Sequence, residues 1–313
     1  MADSGKGAAF LDAERARKPR MRDPVEYIES LEEIWDKGLP PGDSTGWPDL
    51  DTHYTVMPGQ MTIVTGWPSA GKSEFMDALL VNLARQNWKF AMFSFENQPV
   101  TSHLTKLIEK YSRKPYGDGV HERVRKDEIR EYIDIIRQSF HFAETTSGSF
   151  SIAECLEAAG SFINKFPEAS RGVVIDPWNE LASFRAPGVS ETEHIGQCLS
   201  LARNWARSNN VHVWIVAHPQ KMPREEGKLP IPRPDMISGS QHWWNKADAC
   251  LCVYRDLQNP KSEVVQIHIQ KIRFKHIGHS GMIELRYNKV NGIYEQIKPY
   301  LHATAEKKRD LLG

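Results

Sequence analysis

The chain has 313 residues, 40% hydrophobic and 26% charged, which is enough to bury one large α/β core. Lys plus Arg and Asp plus Glu both number 40, so no global positive field announces nucleic acid, and any such binding must come from local clusters. Cys155, Cys198, Cys250 and Cys252 stand singly in apolar runs without C-x-x-C spacing, and neither a long apolar span nor a signal peptide is found, so zinc, disulfide and membrane classes recede and a cytoplasmic protein is expected.

Residues 1–22 are polar and basic and read as a flexible arm, and residues 301–313 read as a polar tail. Residues 23–40 read as a linker helix and hinge. Asp23 supplies the cap, Pro24 the first helical position, and Tyr27, Leu31, Ile34 and Trp35 an apolar face that needs its own core or a neighbouring subunit to pack on. From 41 to 300 one domain is expected. Strands are predicted at 61–65, 89–95, 140–143, 172–176 and 211–217, with helices at 72–86, 100–111, 126–139, 151–165 and 191–208 between them. That alternation predicts an α/β core with a mostly parallel sheet covered by helices on both faces. Further strands at 249–254, 263–273 and 281–287, and the turn before Ile293-Tyr294-Glu295, predict C-terminal antiparallel hairpins.

The first strand, Met61-Thr62-Ile63-Val64-Thr65, runs into Gly66-Trp67-Pro68-Ser69-Ala70-Gly71-Lys72-Ser73, which fits G-x-x-x-x-G-K-[ST], and a helical pattern follows. A phosphate-binding loop in that context binds a nucleoside triphosphate, ATP or another NTP. Gly66, Pro68, Ser69, Ala70 and Gly71 let the backbone approach the phosphates, Lys72 reaches the β- and γ-phosphates, and the Ser73 hydroxyl ligates Mg²⁺. In an open parallel sheet the remaining ligand groups stand at carboxyl ends of strands. Asp176, closing Val173-Val174-Ile175, is the candidate Mg²⁺-linked aspartate. Glu96 ends a strand expected beside the phosphate-loop strand and is the candidate water-polarising base. His218 ends another strand, where a histidine either senses the γ-phosphate or is structural. Period two puts Lys271, Arg273 and Lys275 on one strand face.

These stretches resemble the RecA-like P-loop motor of DnaB-like hexameric replicative helicases, closest to the helicase half of Twinkle-type and phage primase-helicases. The matching residues are Gly59 to Gly66, Lys72-Ser73, Phe93-Ser94-Phe95-Glu96-Asn97, Val174-Ile175-Asp176-Pro177, Val216-Ala217-His218-Pro219, Gly239-Ser240 and Gln270-Lys271-Ile272-Arg273, in the family's order. The resemblance implies that Glu96 is the catalytic glutamate, Asp176 the Mg²⁺-linked aspartate and His218 the sensor. It also implies that Arg273 is an arginine finger reaching a neighbour's nucleotide, with Lys271 its companion. DNA-contacting loops fall by position at 181–192 and 220–244, giving Arg185, Lys221, Arg224, Gly239, Ser240, Gln241 and His242 as candidates. Trp243 and Trp244 are expected to be buried more than stacked on bases.

The implied function is an ATP-driven DNA helicase, a homo-oligomeric ring of hexamer size that moves 5′ to 3′ on single-stranded DNA and opens forked DNA. A primase or polymerase is the implied partner, and the host is a bacterial or phage-infected cell. Relatives carry a primase or interaction domain ahead of this motor, for which the first 60 residues leave no room, so priming is not expected of this sequence. The alternatives are a non-unwinding RecA-like DNA-dependent ATPase and a nucleotide-gated helicase loader.

Overall fold

The computed structural model describes residues 21–297 apart from 145–147, 149, 221–228, 238–240, 257 and 260. Among the described residues one sheet holds β1 (Met61–Thr65), β2 (Lys89–Ser94), β3 (Phe140–Phe142), β4 (Arg171–Asp176), β5 (His212–Val216), β6 (Ala249–Tyr254), β7 (Val264–Ile272), β8 (Gly281–Tyr287) and β9 (Tyr294–Gln296), in the order β3-β2-β4-β5-β1-β6-β7-β8-β9. Pairings from β3 to β6 are parallel, and β7, β8 and β9 add antiparallel strands at one edge. The expected fold class is therefore the observed one.

Eight helices accompany the sheet among the described residues: α1 (Ile28–Lys37), α2 (Pro48–Asp51), α3 (Lys72–Ala84), α4 (Val100–Ser112), α5 (Glu128–Ile136), α6 (Ile152–Ile163), α7 (Glu191–Asn209) and α8 (His242–Lys246). Period two in the strands divides the core into two layers. Phe90, Met92, Val174, Trp214 and Val216 face one layer with Phe75 and Leu79 of α3, Leu107 of α4 and Ile136 of α5. Ala91, Phe93, Val173, Ile175, Val213 and Ile215 face the other, with Leu156 of α6, Leu199 of α7 and Trp243 of α8. Each large aliphatic chain so buried contributes about 1.5–3 kcal/mol. Capping boxes start α6, from Ser151 and Glu154, and α7, from Ser190 and Glu193.

Two expectations need correction. Strand β2 is not beside β1: it pairs with β3 and β4, and both β4 and β5 lie between it and β1. The reason is pairing at long sequence separation, which no local pattern encodes. Strand β7 also stops at Ile272, so Lys271, Arg273 and Lys275 do not share one strand face. Arg273 lies just past the strand and Lys275 in the turn that follows.

The amphipathic helix forms, but its first turn, Pro24–Tyr27, is a 3-10 turn closed by a reciprocal Asp23–Glu26 capping box, and the α-helix starts at Ile28. Among the described residues its apolar face is left bare: Leu31 is 60% and Trp35 85% exposed. Residues 1–20 of the predicted arm at 1–22, and the predicted tail at 301–313, lie outside the described residues.

Candidate nucleotide site

Strand β1 is buried along its whole length and delivers the chain to the loop at its carboxyl end. Gly66 has φ +154 and Gly71 φ +95, and a Cβ on Gly66 would stand 2.3 Å from the Val253 carbonyl of β6, so the loop passes where only glycine fits. Gly71 caps α3 with no side-chain hydrogen bond, which leaves the helix's first N–H groups for an outside acceptor. Pro68 and Ser69 form the exposed tip of the loop, and Ala70 is buried.

Lys72 is buried and folds back, its Nζ donating to the carbonyls of Gly66 at 3.0 Å and Trp67 at 3.2 Å. Burial lowers its pKa, opposed by the charges of Asp176 and Glu96. Asp176, at the end of β4, is 5% exposed and accepts a hydrogen bond from Ser73. Burial pushes its carboxyl up to about 6, and Asp77 and Glu96 add repulsion. Its Oδ1 is buried without a partner. A buried carboxylate with a free oxygen beside a serine hydroxyl, under a lysine and a helix N-terminus, fits Mg²⁺ and a triphosphate: Ser73 and Asp176 would hold the cation, and Lys72 and the loop N–H groups the phosphates.

Although β2 is two strands further away than expected, Glu96 still reaches the site. Phe95 N–H donates to the Asp176 carbonyl at 2.8 Å, drawing the end of β2 alongside β4. Glu96 Oε1 lies 3.1 Å from His218 Nε2, joining the ends of β2 and β5. His218 Nδ1 is buried with no partner, and the His218 N–H donates to Asn179 Oδ1 at 3.0 Å. Sequence reading missed Asn179, three residues past Asp176, as a link between the acid strand and the histidine. It also missed Asp77, one helical turn beyond Ser73 on α3; the i, i+4 spacing was the available signal.

Arg273 and Lys271 stand elsewhere. Asp248 N–H donates to the carbonyl of Met61, the first residue of β1, and Arg273 Nε is 3.0 Å from Asp248 Oδ1. Arg273 also donates to the carbonyls of Asn245 and Ala247, and Lys271 Nζ to that of Trp244. Both cations therefore gather at the amino end of β1, a strand length of roughly 15 Å from the phosphate loop. Asp248, fully buried, also accepts from Arg203 at 2.8 Å and Arg207 at 3.4 Å, a cluster that sequence reading missed.

Of the candidate DNA contacts, Arg185 and Gln241 are exposed. His242 is half-buried against α7, where a Cβ on Gly196 would lie 2.7 Å from its ring. Lys221, Arg224, Gly239 and Ser240 lie outside the described residues. Trp243 is fully buried and meets Trp178 edge-on at 5.0 Å, and Trp244 lies under the Arg233 guanidinium.

Residues 42–296 match the DnaB-like helicase C-terminal domain. The chain belongs to the DnaB-like helicase family. It is 36% identical over 299 residues to the Twinkle homolog protein, chloroplastic/mitochondrial, of Arabidopsis thaliana, which covers 91% of this chain and 41% of that relative. The chain thus spans less than half the length of the curated relative. That relative's organelles give no support to the expected bacterial or phage host; no described helix of this DnaB-like chain is long and apolar enough to cross a membrane.

Among solved structures, the ATPase domain of G40P superposes with a TM-score of 0.76 at 19% identity, over 89% of this chain and 100% of that one. A DnaB-like replicative helicase studied for its interactions with primase gives 0.72 at 18%, over 93% and 71%. The RadB recombinase gives 0.54 at 17%, over 82% and 99%. At these identities the likeness is one of fold, and all three carry the RecA-like sheet found here.

Proposed function

We propose that this DnaB-like chain is the motor of a replicative helicase, a hexameric ring that hydrolyses ATP with Mg²⁺ at subunit interfaces, moves 5′ to 3′ on single-stranded DNA and parts forked DNA. The observation that carries this reading is the separation of two half-sites by β1. Lys72, Ser73, Asp176, Glu96 and His218 meet at its carboxyl end, while Arg273 and Lys271 sit at its amino end. One copy cannot bring both ends to the same phosphate, so a finger arginine at 273 serves a neighbour.

Bound Mg²⁺ supplies charge neutralisation on the phosphate oxygens. Lys72 leaves its loop carbonyls to contact the β- and γ-phosphates. Glu96 orients and deprotonates the attacking water, and His218, bonded to Glu96 and tied through Asn179 to the Asp176 loop, registers the state of the γ-phosphate. Arg185 and Gln241 contribute to gripping the strand in the channel, together with Lys221, Arg224, Gly239, Ser240 and His242. The bare apolar face of α1 packs on the next subunit and holds the ring together. A primase or polymerase is the class of partner such a ring serves.

The decisive experiment measures ATP hydrolysis with and without single-stranded DNA across protein concentration, for wild type and Arg273→Ala. Turnover that rises with both and collapses in the variant supports the ring motor; turnover indifferent to all three sinks it. Removing residues 1–40 should yield monomers by sedimentation, and an intact ring would overturn the role given to α1.

A further inference from the structure

We propose that Lys106 is a positioning residue for hydrolysis, a clamp that sets the segment bearing Glu96 against the helix bearing Ser73. The inference rests on the reading of Glu96 as the base. Lys106 lies on α4, and its Nζ is 2.8 Å from Asn97 Oδ1 and 3.1 Å from Glu74 Oε1. Asn97 is the residue after Glu96, and Glu74 the residue after Ser73. One ammonium therefore bridges the immediate neighbours of the base and of the Mg²⁺-ligating serine.

The flanking residues show why this cation differs from ordinary helix pairing. One turn earlier His103 Nε2 meets Asp77 Oδ1 of α3 at 2.8 Å, and one turn later Lys110 Nζ meets Glu74 Oε2 at 2.5 Å. Both of these side chains are only 2% exposed, whereas Lys106 is 33% exposed. His103 and Lys110 hold α4 to α3. Lys106 adds little to that docking, because Lys110 still neutralises Glu74 without it, yet it also grips the loop. Asn97 Nδ2 is buried with no partner, so the amide is held through its oxygen, the atom that Lys106 touches. Glu96 itself is half exposed, so its aim depends on its backbone, and a displacement of about 1 Å at a reacting group costs on the order of 100-fold in rate.

The test uses the full chain with ATP, Mg²⁺ and single-stranded DNA. Lys106→Met should lower kcat roughly ten- to a hundredfold with KM and Tm near wild type, and Lys106→Arg should recover most of it. Asn97→Ala should show the same loss, and the double variant no further loss. In the ligand-free protein, hydrogen exchange at residues 95–98 should quicken in Lys106→Met and stay unchanged in His103→Asn, which should lower Tm but not kcat. An unchanged kcat in Lys106→Met, additive losses in the double variant, or a fall in Tm matching that of His103→Asn would overturn the clamp. Glu96→Gln is the control that separates the two readings: if it keeps turnover, the assignment of the base fails, and if it abolishes turnover while Lys106→Met does nothing, only the clamp fails.

Discussion

The two ends of β1 solve opposite electrostatic problems. At the carboxyl end Asp176 and Glu96 act on the buried Lys72, Asp77 and Glu96 repel Asp176, and Asp176 Oδ1, Asp77 Oδ2 and His218 Nδ1 are buried without partners. At the amino end one buried acid, Asp248, accepts from Arg203, Arg207 and the Met61 N–H and forms an ion pair with Arg273. Buried polar groups are normally satisfied, so the several left over at the carboxyl end are groups a ligand could satisfy, while at the amino end Gln60 Oε1 is left over. At the amino end the one acid is fully paired within the chain, and Arg203, Arg207 and Arg273 outnumber it, so this end offers positive charge outward. In the proposed ring, an end short of a ligand and an end with spare cations would meet between copies, not within one.

The largest expected effect breaks this complementarity from the cationic side. Arg273→Ala should lower DNA-stimulated turnover by about 10³-fold or more, the usual worth of an arginine finger. Because Arg203 and Arg207 stay on Asp248, thermal stability should change little. Mixing Arg273→Ala subunits with Lys72→Ala subunits should restore part of the activity, since some interfaces regain both groups, and no recovery at any ratio would count against catalysis in trans. The next effect is on folding. Asp248→Asn leaves three guanidinium groups facing a neutral amide and should cost about 3–5 kcal/mol by urea denaturation. A loss under 1 kcal/mol would mean that the amino end is held by packing alone.

Much of the carboxyl end was legible in sequence because its signals are local. A β-branched run, a glycine-bracketed loop and an acid or histidine after each strand mark Lys72, Ser73, Asp176, Glu96 and His218 without knowledge of the pairing. Strand order was not legible, and Glu96 was assigned to the wrong neighbour, because β2 and β4 meet through residues some eighty positions apart. Asp248 in Lys246-Ala247-Asp248 reads as a solvated acid until Arg203 and Arg207 are brought over from α7. His103, Lys106 and Lys110 read as the wet face of an amphipathic helix. The matching acids at Glu74 and Asp77 were the available signal that this stripe faces another helix, but helix-to-helix register is not a local property.

A third prediction tests whether the carboxyl end carries a strain that its ligand relieves. Burial raises Asp176 from 3.8 to about 6, so between these values the folded chain keeps a proton the unfolded chain has released. The stability from this group is thus fully present below pH 3.8 and is lost as pH rises through about 6. Without nucleotide or Mg²⁺, Asp176→Asn should be more stable than wild type at pH 8 by up to about 3 kcal/mol. That advantage should shrink toward pH 4, while turnover is lost at every pH. Equal stability curves across that range would show that the ligand-free site already satisfies this carboxylate.

The smallest effect concerns the loop at the carboxyl end of β1. Gly71 combines a left-handed φ of +95 with a Cβ direction that points 2.9 Å from the Tyr294 hydroxyl, which itself donates to the Gly71 carbonyl at 3.2 Å. Gly71→Ala therefore meets two separate penalties, a backbone one and a contact one. Together they should cost about 1–3 kcal/mol of stability and weaken nucleotide binding, as read by thermal shift and by titration with a fluorescent ATP analogue. Tyr294→Phe removes the hydroxyl and its hydrogen bond. In the Gly71→Ala background it should return the contact share and leave the backbone share. Complete rescue by Tyr294→Phe would show that the left-handed conformation costs nothing here, and that crowding by β9 alone reserves the position for glycine.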